Sequence, residues 1–381
     1  MENASIYIHI PFCSDKCIYC DFYSLTKSEH LIDDFVSMLC TEIDLTCKKN
    51  ETKPLIKTIF VGGGTPSLLT SKQLEKIIKK INKNFNIDNL KEFTLEANPG
   101  EFEINKMKEF KSLGINRLSF GVQSLNDKTL KNLTRWHSKS ECISSFNNAR
   151  KAGFCNINID LIFGVPQQLN TDWKNDLKEV IKLNPEHISA YSLTVERKTK
   201  LYNLVKAGRI VMPDEESDIE KFQTAIQTLT EAGYQHYEIS NYSKFNRECY
   251  HNMQHWHRNP CYAFGPSSHG FLNSKRYWNV SNIKDYMKSI SLNELPIENE
   301  EILTNENIFN EIIINGLRLR TGIVINKIQN DYSSKTFQNF KKKTLDLHKY
   351  IEVDESCVKL NKDGIMIADQ ISLELMSCFN E

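Results

Sequence analysis

Apolar runs of strand length alternate with amphipathic stretches of helix length from the first residues to about residue 240. The period-2 and short apolar runs predict strands at 5–10, 56–61, 91–97, 116–122, 156–163, 187–193 and 234–239. Helical spacing stands out in Leu31-Ile32-x2-Phe35-Val36-x2-Leu39-Cys40-x2-Ile43 and in Leu74-x2-Ile77-Ile78-x2-Ile81. Strands that alternate with helices imply a parallel sheet. Six or seven such units predict an α/β fold with a partial or nearly closed parallel (β/α) barrel, whose chemistry belongs at the C-terminal strand ends. A doubly wound open sheet shares the same periodicity. Past residue 240 the pattern changes: 241–280 is rich in His, Asn, Pro and aromatic residues and has no clear helical period. From about 301 the chain reads as helical, with a turn-bounded pair of apolar segments at 350–360 and a last helix at about 365–378. The expected organisation is a barrel domain at 1–240, a connecting region at 241–300 and a small, mainly helical, winged-helix-like domain at 301–381.

At 381 residues the chain has room for one large domain and a smaller one. Forty-eight basic and 48 acidic residues cancel, so nothing favours a nucleic-acid partner. No apolar run approaches the ~20 residues that cross a bilayer, and no signal peptide is apparent. The cysteine count of 11 is odd, and three of these residues read best as metal ligands, which favours a reducing, cytoplasmic setting.

Those three, Cys13, Cys17 and Cys20, are spaced Cys-x3-Cys-x2-Cys directly after the first strand. Cubane iron–sulfur clusters usually have four thiolate ligands. Three leave one iron open to bind a small molecule through nitrogen and oxygen. A structural zinc site needs four closed ligands, and no fourth is at knuckle spacing. The second strand runs into Gly62-Gly63-Gly64-Thr65-Pro66, where glycine allows close backbone approach to a ligand. A phosphate loop is the alternative, but the Gly-Lys-Ser/Thr ending is missing. Glu96, Gln123, Arg135 and Asp160 fall at later strand ends or unit boundaries. Charge among isoleucines and leucines is costly to bury unless it is paired. The charged three therefore form either an internal ion-pair network or a ligand site.

Tyr7-Ile-His-Ile-Pro-Phe-Cys13 and Cys17-Ile-Tyr-Cys20-Asp-Phe resemble the opening of radical S-adenosylmethionine (SAM) proteins. Within that superfamily the chain is similar to the branch around oxygen-independent coproporphyrinogen III oxidase. The similarity continues into Gly316-Leu-Arg-Leu-Arg-x-Gly322 and Asp363-Gly-Ile-x3-Asp369 near the end of the chain. It implies a [4Fe–4S] cluster on Cys13, Cys17 and Cys20, with SAM chelating the open iron through its amino and carboxylate groups. By the same resemblance Gly63, Gly64 and Thr65 lie at the SAM amino group, with Glu96, Gln123, Arg135 and Asp160 as further SAM contacts. Tyr7 and Tyr19 match the aromatic contacts beside the cluster.

Two functions share this scaffold in the family: oxidative decarboxylation of coproporphyrinogen III, and haem carriage by chaperones. The oxidase motif resembles Cys-x3-Cys-x2-Cys-x-Cys, whereas Phe22 stands at its last position here, and the oxidases carry a longer segment before the first strand. Cys249-Tyr-His251-Asn252-Met-Gln-His255-Trp256 resembles the Cys-x-His-Asn-x2-Tyr-Trp signature of the chaperones, with His255 in place of Tyr. Four of the ten histidines (His251, His255, His257, His269) and two cysteines (Cys249, Cys261) fall between 249 and 269. Imidazole and thiolate suit haem iron and also zinc, while a satisfied loop needs neither. The resemblance favours haem as cargo, with His251 as first candidate ligand, Cys249 as second and His255 in an open role. It implies delivery to haem-accepting respiratory proteins, with the cluster and SAM regulating assembly or release. Peripheral membrane contact, a homodimer and a radical SAM reaction on another tetrapyrrole stay compatible with these residues.

Overall fold

The computed structural model describes residues 3–48 and 52–380. Its centre is a run of parallel strands: β1 (Ala4–Ile10), β2 (Ile56–Gly63), β3 (Glu92–Ala97), β4 (Arg117–Gln123), β5 (Ile157–Phe163) and β6 (His187–Ser192), paired in sequence order. β1 to β5 are buried along most of their length, as expected of strands covered on both faces, while β6 ends in the exposed Tyr191 and Ser192. The helices cover the outer face. Leu74, Ile77, Ile78 and Ile81 are the buried stripe of the helix Ser71–Asn84, which Thr70 starts through a reciprocal capping box with Gln73. Ile32, Phe35, Val36, Leu39, Cys40 and Ile43 play the same part on the helix Ile32–Cys47.

The sheet extends beyond this run at both sides. β7 (Gln235–Glu238) and β8 (Asn241–Ser243) form a hairpin, and β8 lies antiparallel against β6. On the other flank β9 (Cys261–Phe264) pairs parallel with β1. β10 (His269–Leu272), β11 (Lys275–Asn279) and β12 (Ile297–Ile302) then continue antiparallel. Among the described residues the order runs from β12 to β7 with no pairing between its ends, so the barrel is open. The strand expected at 234–239 exists but is not a seventh parallel unit. A two-residue connection, Ile239-Ser240, returns the chain as a hairpin, and parallel pairing needs a long crossover.

The segment 241–280 is structured rather than irregular, because its strands are too short and its one helix, Tyr250–Trp256, too brief to leave a period in the sequence. At the end of the chain the helices Asn305–Arg318, Ile325–Asp331 and Ser334–Asp346 pack with β13 (Ile323–Val324), β14 (Ile351–Val353), β15 (Cys357–Leu360) and the helix Ala368–Met376. The three strands form their own antiparallel sheet, in the order β13-β15-β14. Phe309, Ile313, Leu317, Ile328, Phe340 and Leu375 belong to a second hydrophobic core, distinct from the one under the barrel.

Candidate functional site

The C-terminal ends of β2–β6 open into a cavity of about 420 Å³. Cys13, Cys17 and Cys20 line it, together with Tyr19, Gly63, Gly64, Thr65, Glu96, Gln123, Arg135 and Asp160. Residues more than 140 positions apart in sequence thus meet at one place. The donor set fits a cluster with an open iron: three free, partly exposed cysteines, and Phe22 rather than a fourth thiol on the same wall. Burial pushes the Cys13 thiol up and that of Cys20 up to about 11, so in the metal-free site they are held protonated. A metal would have to displace those protons.

A hydrogen-bonded belt positions two of the three sulfurs. Thr65 Oγ1 donates to Cys13 Sγ at 3.5 Å and accepts from Asn98 Nδ2 at 3.0 Å. Asn98 Oδ1 accepts from Arg135 Nη2 at 2.7 Å, and Arg135 Nη1 reaches Cys17 Sγ at 3.3 Å. Hydrogen bonds to cluster sulfurs are one of the levers a protein has on the potential. The sequence pattern does not single out Asn98; its signal is a polar side chain two residues past Glu96, just after the strand ends at Ala97 and just before Pro99.

The glycine turn is built for close approach. A Cβ on Gly63 would stand 2.6 Å from the His9 ring, and one on Gly64 2.5 Å from the Phe12 carbonyl oxygen. Gly63 also has φ +106°, open to glycine and strained for other residues. The N–H groups of Gly63, Gly64 and Thr65 are all taken, by Glu96 Oε2, the Ile10 carbonyl and the Phe12 carbonyl. An anion-binding loop needs free N–H groups. With these three already taken, the turn lacks the donors of a phosphate loop.

Two half-buried carboxyls line the cavity. Burial, and then the nearby charge of Asp160, push Glu96 up to about 8. Burial likewise raises Asp160, against hydrogen bonds from Ser189, Asn158 and Ser119. Such a pair is costly in isolation and favours a ligand carrying positive charge and hydroxyls. Gln123 sits at φ +68° where the β4–β5 register breaks, a left-handed non-glycine residue on the cavity wall. Strain of this kind clusters at ligand sites. Tyr7 is not among the residues lining the cavity. It is half-buried, stacked on Phe60 at 6.2 Å, with its hydroxyl 3.0 Å from His9 Nδ1.

The second candidate segment closes the opposite end of the barrel. Helix Tyr250–Trp256 lies against the N-terminal ends of β2 and β3, where Glu92 accepts the Tyr250 and His251 N–H groups at 3.0 and 3.1 Å and faces the Cys249 thiol at 3.4 Å. His251 is enclosed, its Nδ1 2.9 Å from Thr58 Oγ1 and its Nε2 3.2 Å from His255 Nε2. His255 reaches the surface, Cys261 lies close by, and His257 and Met253 line a separate cavity of about 510 Å³ under the floor. His269 is not among them: it stacks on Trp278 in the β10–β11 hairpin. The tail motif packs here too. Arg318 stacks over the Trp256 ring at 4.5 Å and pairs with buried Glu238 at 2.7 Å.

A hydrogen-bond chain that no sequence pattern announces joins the two ends. Asp160 Oδ1 accepts from Asn158 Nδ2 at 2.8 Å, which leaves Asn158 Oδ1 to accept from His187 Nδ1 at 2.6 Å. His187 Nε2 then accepts from the Tyr237 hydroxyl at 2.8 Å, and that oxygen accepts the Cys249 N–H at 3.3 Å. Burial, with Arg117 adding to it, holds His187 well below its usual range and therefore neutral, as this chain requires.

Comparison with known proteins gives the scaffold its place. The radical SAM superfamily model matches residues 7–180. The heme chaperone HemW of Bacillus subtilis (strain 168) is 35% identical over 371 residues, covering 96% of this chain and 97% of the relative. The chain belongs to the HemW family. The HemW protein of Haemophilus influenzae is 39% identical over 273 residues, 70% of each chain. Among solved structures, the coproporphyrinogen III oxidase HemN of Escherichia coli, a radical SAM enzyme, superimposes with a TM-score of 0.86 over 99% of this chain and 91% of its own. At 23% identity that likeness establishes the fold, which HemN and the HemW family share. No helix among the described residues is long and apolar enough to cross a membrane.

Proposed function

We propose that this protein is a haem chaperone on a radical SAM scaffold. Cys13, Cys17 and Cys20 hold a [4Fe–4S] cluster, and SAM occupies the 420 Å³ cavity against Glu96, Gln123, Arg135 and Asp160. The cluster would supply the electron that cleaves SAM; the residues described here bind, orient and neutralise the cofactor. Haem is cargo, held at the Cys249–Trp256 segment and passed to respiratory haem proteins.

The observation that carries this reading is the position of that segment. It seals the floor of the same barrel whose mouth holds the three cysteines, and a buried polar chain from Asp160 to Cys249 links the two. Cargo at the floor lies away from radical chemistry at the mouth, so the cofactor acts as a signal: SAM binding pulls on Asp160 and biases the floor between closed and haem-accepting arrangements. His251 is the first iron ligand and Cys249 the second. Both are enclosed, so haem enters as the helix Tyr250–Trp256 lifts from β2 and β3. The 510 Å³ groove beneath offers Tyr250 and Met253 to a porphyrin face and Lys57 and Lys91 to its propionates. Its size falls within the range of small-molecule sites.

His251→Ala is the direct test. Haem capture, followed by the Soret band, should weaken at least tenfold while the cluster absorbance is unchanged. Equal haem uptake in the variant sinks the assignment of His251.

A further inference from the structure

The barrel floor gathers three metal-ligating atoms that haem carriage does not require together. His251 Nε2 and His255 Nε2 face each other at 3.2 Å, and with Cys261 Sγ all three donor atoms lie within 4.8 Å of one another. Two imidazole nitrogens on one tetrahedral zinc, each at ~2.0–2.1 Å, stand about 3.4 Å apart, and a nitrogen and a thiolate sulfur about 3.6 Å. The histidine pair is therefore already at ligating separation, and the thiol has little more than an ångström to close.

Local structure explains the convergence. His251 and His255 are one turn apart on the helix Tyr250–Trp256 and so share a face. Cys261 opens β9, which pairs with β1 directly beside them. Thr58 Oγ1 at His251 Nδ1 supplies the outer partner that fixes a ligating imidazole and leaves the Nε2 lone pair for a metal. Arg117 opposes added positive charge here, and Glu92, at the backbone of the same helix turn, offsets it. His255 is exposed, which gives an ion its way in. It also stands where the chaperone signature has Tyr.

We propose that the floor binds a divalent transition-metal ion, zinc by donor type, between His251 Nε2, His255 Nε2 and Cys261 Sγ, with the fourth position left to water. The bound ion ties the signature helix to β9, and through β9 to β1 and the cysteine loop that follows it. The site itself stands on its donor atoms. Only one consequence rests on the haem reading: an ion here withdraws His251 from haem and keeps the floor closed.

The probe is Co²⁺, titrated anaerobically into cluster-reconstituted, desalted protein and read as a difference spectrum. One equivalent should bind with a thiolate-to-cobalt charge-transfer band and tetrahedral d–d bands, and one equivalent of Zn²⁺ should displace it. His255→Tyr restores the family residue on the rim, and Cys261→Ser removes the thiolate. Each should lower Co²⁺ affinity at least ~100-fold, more than loss of an outer-shell partner costs, with cluster absorbance retained. Parent-like Co²⁺ binding in His255→Tyr, or a parent spectrum without the sulfur band, overturns the proposal. Haem titration of the parent sample separates the two readings: failure to take up haem refutes the chaperone function and leaves the cobalt result standing.

Discussion

Replacing Glu96 by Gln tests the proposed SAM cavity with two effects of opposite sign. Gln keeps an acceptor for the Gly63 N–H, which Glu96 Oε2 receives at 3.1 Å, and removes the charge. Loss of a hydrogen bond to a charged group costs about 1.5–3 kcal/mol, so SAM should bind roughly 10–150-fold more weakly at pH 8. Because burial and Asp160 raise Glu96 to about 8, its carboxylate fraction falls roughly 15-fold between pH 8 and 6.5. Parent affinity should fall with it as the pH is lowered, and the Gln variant should lose this component. The SAM amino group titrates in the same range in both proteins, so the difference between the two profiles reads Glu96 alone. Stability of the cofactor-free protein moves the other way. A carboxyl whose folded pKa is raised binds its proton more tightly when folded, so it stabilises least once the pH has risen through the window from 4.5 to about 8. Glu96→Gln should therefore raise Tm at pH 8.5 while weakening SAM. Anaerobic equilibrium binding between pH 6.5 and 8.5, with melting curves on the same samples, measures both. Equal affinities with parallel pH profiles would refute the assignment.

Tyr237→Phe cuts the buried chain, leaving His187 Nε2 and the Cys249 N–H unpaired. It should cost about 1–3 kcal/mol in denaturant unfolding, and haem affinity should stop responding to SAM; an undiminished response would show that the coupling runs elsewhere. Gly63→Ala puts a methyl group into the His9 ring at φ +106°. A loss of roughly 1–3 kcal/mol is expected from the backbone alone, together with poor cluster incorporation, and normal iron content at parent Tm would contradict the packing described here.

The parallel sheet and the mouth of the barrel were legible because each rests on a local signal. Apolar strands announce themselves by period, and Cys13, Cys17, Cys20 and the Gly62–Gly64 turn by spacing. Glu96 and Asp160 were visible as carboxyls inside apolar strands. What stayed hidden is cooperative. Asn98, Asn158, His187 and Tyr237 are single polar residues in unremarkable contexts, and only the barrel brings them into line. β7 looked like another barrel strand because its residues cannot reveal whether the chain will return as a hairpin. The crowding of His and Cys after residue 248 was evident, but its burial was not. A helix of seven residues, Tyr250–Trp256, carries too short a pattern to say which face the floor of a barrel will cover.

The most direct measurement is an anaerobic haem titration of cluster-reconstituted protein, followed in the Soret region, with the same sample assayed for coproporphyrinogen III conversion. Near-stoichiometric haem uptake without decarboxylation is the predicted result. Conversion of the porphyrinogen with poor haem retention would contradict it and make this protein an oxidase with Phe22 in place of the fourth cysteine.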